Sequence, residues 1–225
     1  GEYNFAWTTP NGKVTNPGSL DQEGIPAGNY HLDVVDEINC PAEWDFVIKE
    51  PDSIAIAPDL HLHMKNGYGI SCFEGADGSI DLNTFGGVFP YKYSWSTNDG
   101  AGIKTLEENQ SGLSKGTYSV EITDDNNCMI HWDTTLNHPE KLISTIDTTT
   151  ISCFGTNDGS ADLTVSGGIE PYSYSWSNGA NTQDISSLYI GNYNVDITDA
   201  NNCFLRDSAE VTEPEELIIE LSVPL

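Results

Sequence analysis

Five cysteines, a set of aspartate- and asparagine-rich turns and one His-x-His pair are the residues whose types and spacing could do chemistry in this 225-residue sequence. Cys72 and Cys128 recur at matching places as Cys153 and Cys203, and Cys40 is the fifth. Asn157-Asp158-Gly159 and Asp199-Ala200-Asn201 gather hard oxygens, as do Asp77 and Asp124-Asp125-Asn126. Calcium takes about 6–8 such oxygens, so Asp77, Asp124, Asp158 and Asp199 are candidate Ca2+ ligands, although no full EF-type loop is present. The competing reading is that Asp-Gly and Asp-Asn simply form turns. His61-x-His63 could grip a metal from one face of a strand, but nothing repeats it, and His31 reads as a solvent-facing residue. No serine or cysteine sits in an elbow motif and no carboxylate pair stands alone, so nucleophilic and glycosidase chemistry are not expected. Tyr68, Tyr91, Trp132 and Tyr189 could stack on sugar rings, but most aromatics here have inward parity and read as core.

The elements that must position these residues are repeated. Gly167-Gly168-Ile169-Glu170-Pro171 turns the chain, and Tyr172, Tyr174 and Trp176 then alternate as in a strand. The same text stands at Gly86–Ser96 and, shortened, at Tyr3–Thr8. Trp7 and Trp95 are 88 positions apart, and the same offset carries Tyr30 onto Tyr118 and Cys40 onto Cys128. Cys72 and Trp95 lie 81 positions before Cys153 and Trp176, after which the offset falls to 75 for Tyr118–Tyr193 and Cys128–Cys203. A six-residue deletion after Trp176 explains the change and belongs in a surface loop.

No segment of helical period appears, and short strands punctuated by Gly, Pro and Asn predict an all-β fold of tandem immunoglobulin-like sandwiches in a linear array. Trp7, Trp95 and Trp176 are placed to fill the space between sheets. Tyr30, Tyr118 and Tyr193 end a Leu-x-x-Gly-x-Tyr pattern (Ile in the first copy) that looks like a tyrosine corner. Expected boundaries are residues 1–52 for the later part of a first repeat, 53–140 and 141–215 for two whole repeats, and 216–225 for the opening strand of another.

Eight basic residues against 35 acids give a formal charge of −27, which disfavours nucleic acid and anionic lipid as partners and favours solubility. No apolar run is long enough to span a membrane, so no direct membrane insertion is expected. Gly1–Thr9 reads as mid-repeat, so a fragment or processed piece is expected.

Cys-Phe-Gly-x-Asn-Asp-Gly-Ser, then Gly-Gly-x-x-Pro-Tyr-x-Tyr-x-Trp-Ser-Asn-Gly, then Leu-x-x-Gly-x-Tyr-x-Val-x-Ile-Thr-Asp-Ala-Asn-x-Cys and Glu-Pro together resemble the SprB-type repeat. Strand Gly191–Asp199 also looks like polycystic-kidney-disease domains. The third repeat matches throughout, the second has Glu74-Gly75-Ala76-Asp77 in its turn, and the first departs most, at Glu37-Ile38-Asn39-Cys40. The resemblance implies a large surface adhesin of gliding or biofilm-forming Bacteroidetes, exported by type IX secretion and associated with the outer membrane. For such an exported protein the default is pairing within repeats, Cys72 with Cys128 and Cys153 with Cys203. The first and last turns of a simple sandwich lie at opposite ends, so that pairing needs Cys153 on an edge strand beside the last strand. Buried free thiols, or cross-links between neighbouring repeats, are the alternatives. Head-to-tail stacking would also face the first turn of one repeat with the last turn of the next, allowing a junction ion between Asp77 and Asp199. Asp52-Ser53-Ile54 and Asp207-Ser208-Ala209 resemble O-glycosylation acceptors of this phylum, at Ser53 and Ser208.

The expectation is a non-enzymatic stalk whose partners are neighbouring repeats, with surface polysaccharide or other cell-surface proteins beyond them. A lectin-like module, or a spacer appended to a secreted hydrolase, are the rivals.

Overall fold

A computed structural model describes residues 2–57, 61–62 and 64–220, with the side chains of 61 and 62 left aside. The described residues are all strand, turn and loop. The chain divides into two compact units, residues 1–55 with 85–89, and residues 56–84 with 90–225.

In the first unit, β1 (Tyr3–Thr8), β2 (Gly28–Asp36) and β3 (Pro41–Ile48) form one antiparallel sheet in that order. Period-two alternation turns Tyr30 and Leu32 to one face, where they are buried, opposite Phe46 and Trp44 on β3. Trp7 stacks on Phe46 at 5.5 Å between ring centroids. This face is covered only in part: Trp44 is 53% and Phe46 42% exposed. Trp7, expected in a core, is therefore half-buried, because the described residues of this unit supply no second sheet across from it.

Two-residue strands β4 (Ala55–Ile56) and β5 (His61–Leu62) precede β6 (Gly78–Asp81), β7 (Thr84–Phe85), β8 (Lys92–Thr97), β9 (Gln110–Leu113), β10 (Gly116–Thr123) and β11 (Met129–Leu136). The last repeat follows as β12 (Ile143–Thr149), β13 (Gly159–Ser166), β14 (Ser173–Trp176), β15 (Ile185–Leu188), β16 (Gly191–Thr198) and β17 (Phe204–Val211). Its sheets are β12-β13-β15 and β14-β16-β17, and the second repeat has the matching sheets β5-β6-β9 and β8-β10-β11. First, second and fourth strands in one sheet, with third, fifth and sixth in the other, is the order of an immunoglobulin-like sandwich.

Alternation along each strand builds the core of the last repeat. Ala161, Leu163, Trp176, Ile185, Leu188, Val195, Ile197, Ala209 and Val211 all point inward. Each fully buried aliphatic among them contributes about 1.5–3 kcal/mol. Both expected tryptophans of the whole repeats are in place: Trp95 and Trp176 are each 3% exposed. Their indole N–H groups cross to the following loop, donating to Glu107 O at 2.9 Å and Thr182 O at 3.0 Å; Trp7 does likewise to Ser19 O at 2.8 Å. The turn before each tryptophan strand requires glycine. Gly86 and Gly167 have φ of 71° and 72°, and a Cβ would collide with the carbonyl oxygens of Ser53 and Lys141.

The three tyrosines donate to the carbonyl four residues upstream: Tyr30 to Pro26 at 2.6 Å, Tyr118 to Ser114 at 2.7 Å and Tyr193 to Tyr189 at 3.0 Å. Tyr30 and Tyr118 are buried, whereas Tyr193, also expected in the core, is half-buried. The deletion after Trp176 is the cause. The longer loop of the second repeat lays Gly100 against the Tyr118 ring, and Ala101 exchanges hydrogen bonds with its hydroxyl. Tyr118→Phe is therefore expected to cost about 1 kcal/mol in urea denaturation, since it removes the hydroxyl's part-buried hydrogen bonds to Ala101 and Ser114. Tyr193→Phe, whose hydroxyl is open to water, should cost less than half as much.

Candidate functional site, the junction between the second and third repeats

Each repeat ends one hairpin in the same late turn. Asp36, Asp124 and Asp199 each accept from the amide of the cysteine four residues on, Cys40, Cys128 and Cys203, at 2.8 Å in every case. Asn39, Asn127 and Asn202 precede those cysteines with φ of 63–67°, the left-handed conformation that asparagine tolerates. The different sequence of the first repeat, Glu37-Ile38, leaves this turn intact.

An early turn recurs as well. The Ser71 amide donates to Asp77 Oδ1 at 3.0 Å and the Ser152 amide to Asp158 Oδ1 at 3.1 Å. Cys72 and Cys153 follow those serines, and their carbonyls accept from Gly75 and Thr156. The Asp77 carboxyl lies below its ordinary value. Partial burial raises it, but hydrogen bonds from the Ser71 hydroxyl and amide outweigh that. Asp158 is lowered by the Ser152 and Thr156 donors.

Early and late turns occupy opposite ends of a repeat. In the third, the late turn abuts the glycine turn, where the Ile169 amide donates to Asp199 Oδ2 at 2.9 Å. The early turn lies past the far end of β17, with the Ile151 amide donating to Thr212 O and the Gly155 amide to Glu213 Oε2. Eight residues of β17 separate the two, about 27 Å of strand. A disulfide needs Cα atoms within about 7 Å. The expected pairs Cys72–Cys128 and Cys153–Cys203 are accordingly not formed.

The late turn of the third repeat instead meets the early turn of the second. Cys72 and Cys203 form a disulfide across the junction, with Cα atoms 5.6 Å apart and 131 residues between them in sequence. Cys40, Cys128 and Cys153 are free and exposed. Asn201, 3% exposed, fills the junction beside the disulfide. Its side chain donates to Ser71 O at 2.8 Å and accepts from Asn66 Nδ2 at 2.6 Å, and its carbonyl accepts from Lys65 Nζ at 3.0 Å. A cleft of about 400 Å3 opens next to it, floored by Phe73, Leu142, Phe204 and Leu205. Sequence reasoning missed Lys65 and Asn66, and named Asn201 only as part of an oxygen-rich turn, not as a junction residue. Asn126 repeats Asn201 and was the available signal, whereas Lys65 and Asn66 have no counterpart in the third repeat.

The candidate calcium ligands are engaged as turn caps. Asp199 takes amides from Asn201, Cys203 and Ile169, Asp124 takes Cys128, and Asp77 and Asp158 take their serines. Among the described residues, the group whose side chains converge as metal ligands could is a different one, His31, Asp33 and Glu43. His31 lies on the outer face of β2, with Nδ1 2.8 Å from Asp45 and Nε2 3.2 Å from Asp33. These carboxylates, Asp45 first, raise the imidazole above its ordinary value. Protonation is thus favoured in the folded state. The contribution to stability is complete below the unfolded value and fades as pH rises through the folded one. In an NMR titration, Asp45→Asn should move the His31 midpoint down toward that of an unperturbed histidine. The His61-x-His63 pair lies outside the described residues as regards its side chains.

Tyr68, Tyr91 and Trp132 are half-buried and Tyr189 is 59% exposed, on four separate segments. Ser53 and Ser208 are exposed, and Asp207 beside the latter turns inward to accept from Ser144 at 2.6 Å.

The SprB repeat family model matches this chain twice, over residues 70–100 and 145–181, once within each of the two whole repeats recognised in the sequence. Among curated protein sequences, none matches. Similar solved structures include the N-terminal eight Ig domains of Down Syndrome Cell Adhesion Molecule, at 10% identity and TM-score 0.41, covering 94% of this chain and 33% of that one. Another is a C-terminal 282-residue fragment of intimin, at 13% identity and TM-score 0.38, covering 70% of this chain and 64% of that one. The chain thus spans about a third of the first structure's length and under two thirds of the second's.

Proposed function

We propose that these SprB repeats form a non-catalytic stalk segment of a large secreted cell-surface adhesin, holding adhesive regions away from an outer membrane for attachment or gliding. The observation that carries this reading is the covalent junction. Cys72–Cys203 and the buried Asn201 tie two repeats, each with its own core, into one compact unit. A disulfide, a buried amide and a Lys–carbonyl bond at one seam restrict hinge motion between repeats, which is what a spacer requires and a catalyst does not. The acidic surface suits crowded display outside a cell, where disulfides persist. Boundaries near residues 52, 140 and 215 follow from the same register.

The test is replacement. Exchanging residues 53–215 in the parent surface protein for an unrelated immunoglobulin-like spacer of equal length should preserve cell attachment. Loss of attachment, together with polysaccharide binding by the purified chain on a glycan array, would establish the lectin-like reading instead.

A further inference from the structure

The described cysteines fall into two kinds by position. Cys72 and Cys153 belong to early turns, and Cys40, Cys128 and Cys203 to late turns. The one bond formed joins one of each kind, across a junction between successive repeats. The free cysteines sit in the same turns as the bonded ones. Beside Cys153 the Ser152 amide donates a hydrogen bond to Asp158, as the Ser71 amide beside Cys72 does to Asp77, at 3.1 against 3.0 Å. Cys128 and Cys40 have the Asp-to-cysteine bond of Cys203, at the same 2.8 Å. Around Cys128 the match extends further, since Asn126 stands where Asn201 reaches across to Ser71 O, and beside Cys153 the Ser152 carbonyl occupies the place of Ser71 O. All three thiols are exposed.

We propose that Cys40, Cys128 and Cys153 are unpaired halves of further junctions, each taking the complementary cysteine of another copy of this repeat, early turn to late turn. The rule makes a ladder, one disulfide per junction, in which no repeat closes on itself. It rests on the turn geometry and goes beyond the stalk reading, which stands or falls separately. The complementary thiol can come from a flanking repeat of the same polypeptide or from a separate chain. Bond formation needs an oxidant of the small-molecule disulfide class. One protein thiolate attacks that disulfide and expels one small thiol. The second protein thiolate attacks the mixed disulfide and expels the other. Two protein thiols are oxidised, one small disulfide is reduced, and the two protons end on the small thiols.

The test uses the whole chain in two forms, Cys40→Ser/Cys128→Ser, which keeps only the early-turn thiol, and Cys153→Ser, which keeps only late-turn thiols. Each substitution is at an exposed position and leaves Cys72–Cys203 in place, which the same mass spectra verify. In a glutathione redox buffer, equal amounts of the two should give disulfide-linked mixed dimers. Cys153-to-Cys128 or Cys153-to-Cys40 peptides should exceed same-kind peptides about tenfold, an orientation preference of about 1.4 kcal/mol. Same-kind pairs at equal yield, or thiols that stay free, overturn the proposal. On the intact surface protein, non-reducing electrophoresis identifies the source. Single-chain mobility with all cysteines bonded marks flanking repeats, and a higher mass that collapses on reduction marks separate chains.

Discussion

Replacing both Cys72 and Cys203 by serine is expected to lower the stability of the second and third repeats by as much as about 5 kcal/mol, the chain-entropy value for a closed loop of this size. The loop spans 131 residues and crosses two hydrophobic cores, so the bond restrains the unfolded state far more than a local link would. For a unit of this length the loss corresponds to a fall in melting temperature of roughly 10–20 °C. The shape of the transition should change as well. Without the disulfide, Asn201 and Lys65 are left to hold the seam by three hydrogen bonds, each worth about 1 kcal/mol. The two repeats then unfold in separate steps in calorimetry. Oxidised wild type and the double variant melting together would refute the bond's role.

Trp176→Ala should cost about 3–5 kcal/mol in denaturant unfolding, because it empties the centre of the last repeat and removes the donor to Thr182 O. Trp7→Ala makes the same chemical change on a sheet whose inner face is half open, and its cost should be well under half as large. Equal costs at the two positions would show that the first unit is as well covered as the third repeat, contrary to the exposure of Phe46 and Trp44.

These comparisons show what the amino-acid sequence discloses and where it stops. The all-β class and the inward direction of Trp95 and Trp176 were legible, because period-two alternation and turn residues are local and the repeats print them more than once. Turn-capping by Asp124 and Asp199 was legible as one of two readings. The burial difference between Tyr118 and Tyr193 was present only as a six-residue deletion, whose effect depends on what the missing loop would have covered. The pairing of Cys72 with Cys203 was open to sequence reasoning only as one option among three. Choosing it requires knowing that β17 holds Cys153 and Cys203 a strand's length apart, and that successive repeats meet end to end. Lys65 and Asn66 were invisible because their junction role is not repeated.

The position of that bond also fixes where tension would run. Pulled from its two ends, the polypeptide passes load from Cys72 to Cys203 directly through sulfur. The 131-residue separation between them, roughly 450 Å of backbone if drawn straight, is excluded from extension. Strands β6 to β16 lie within that span and could lose their pairing under strain without lengthening it, free to re-form where they stand. Between Cys72 and Cys203 the chain behaves under load as a tether of fixed reach, and a reductant rather than force would be what lets that span out.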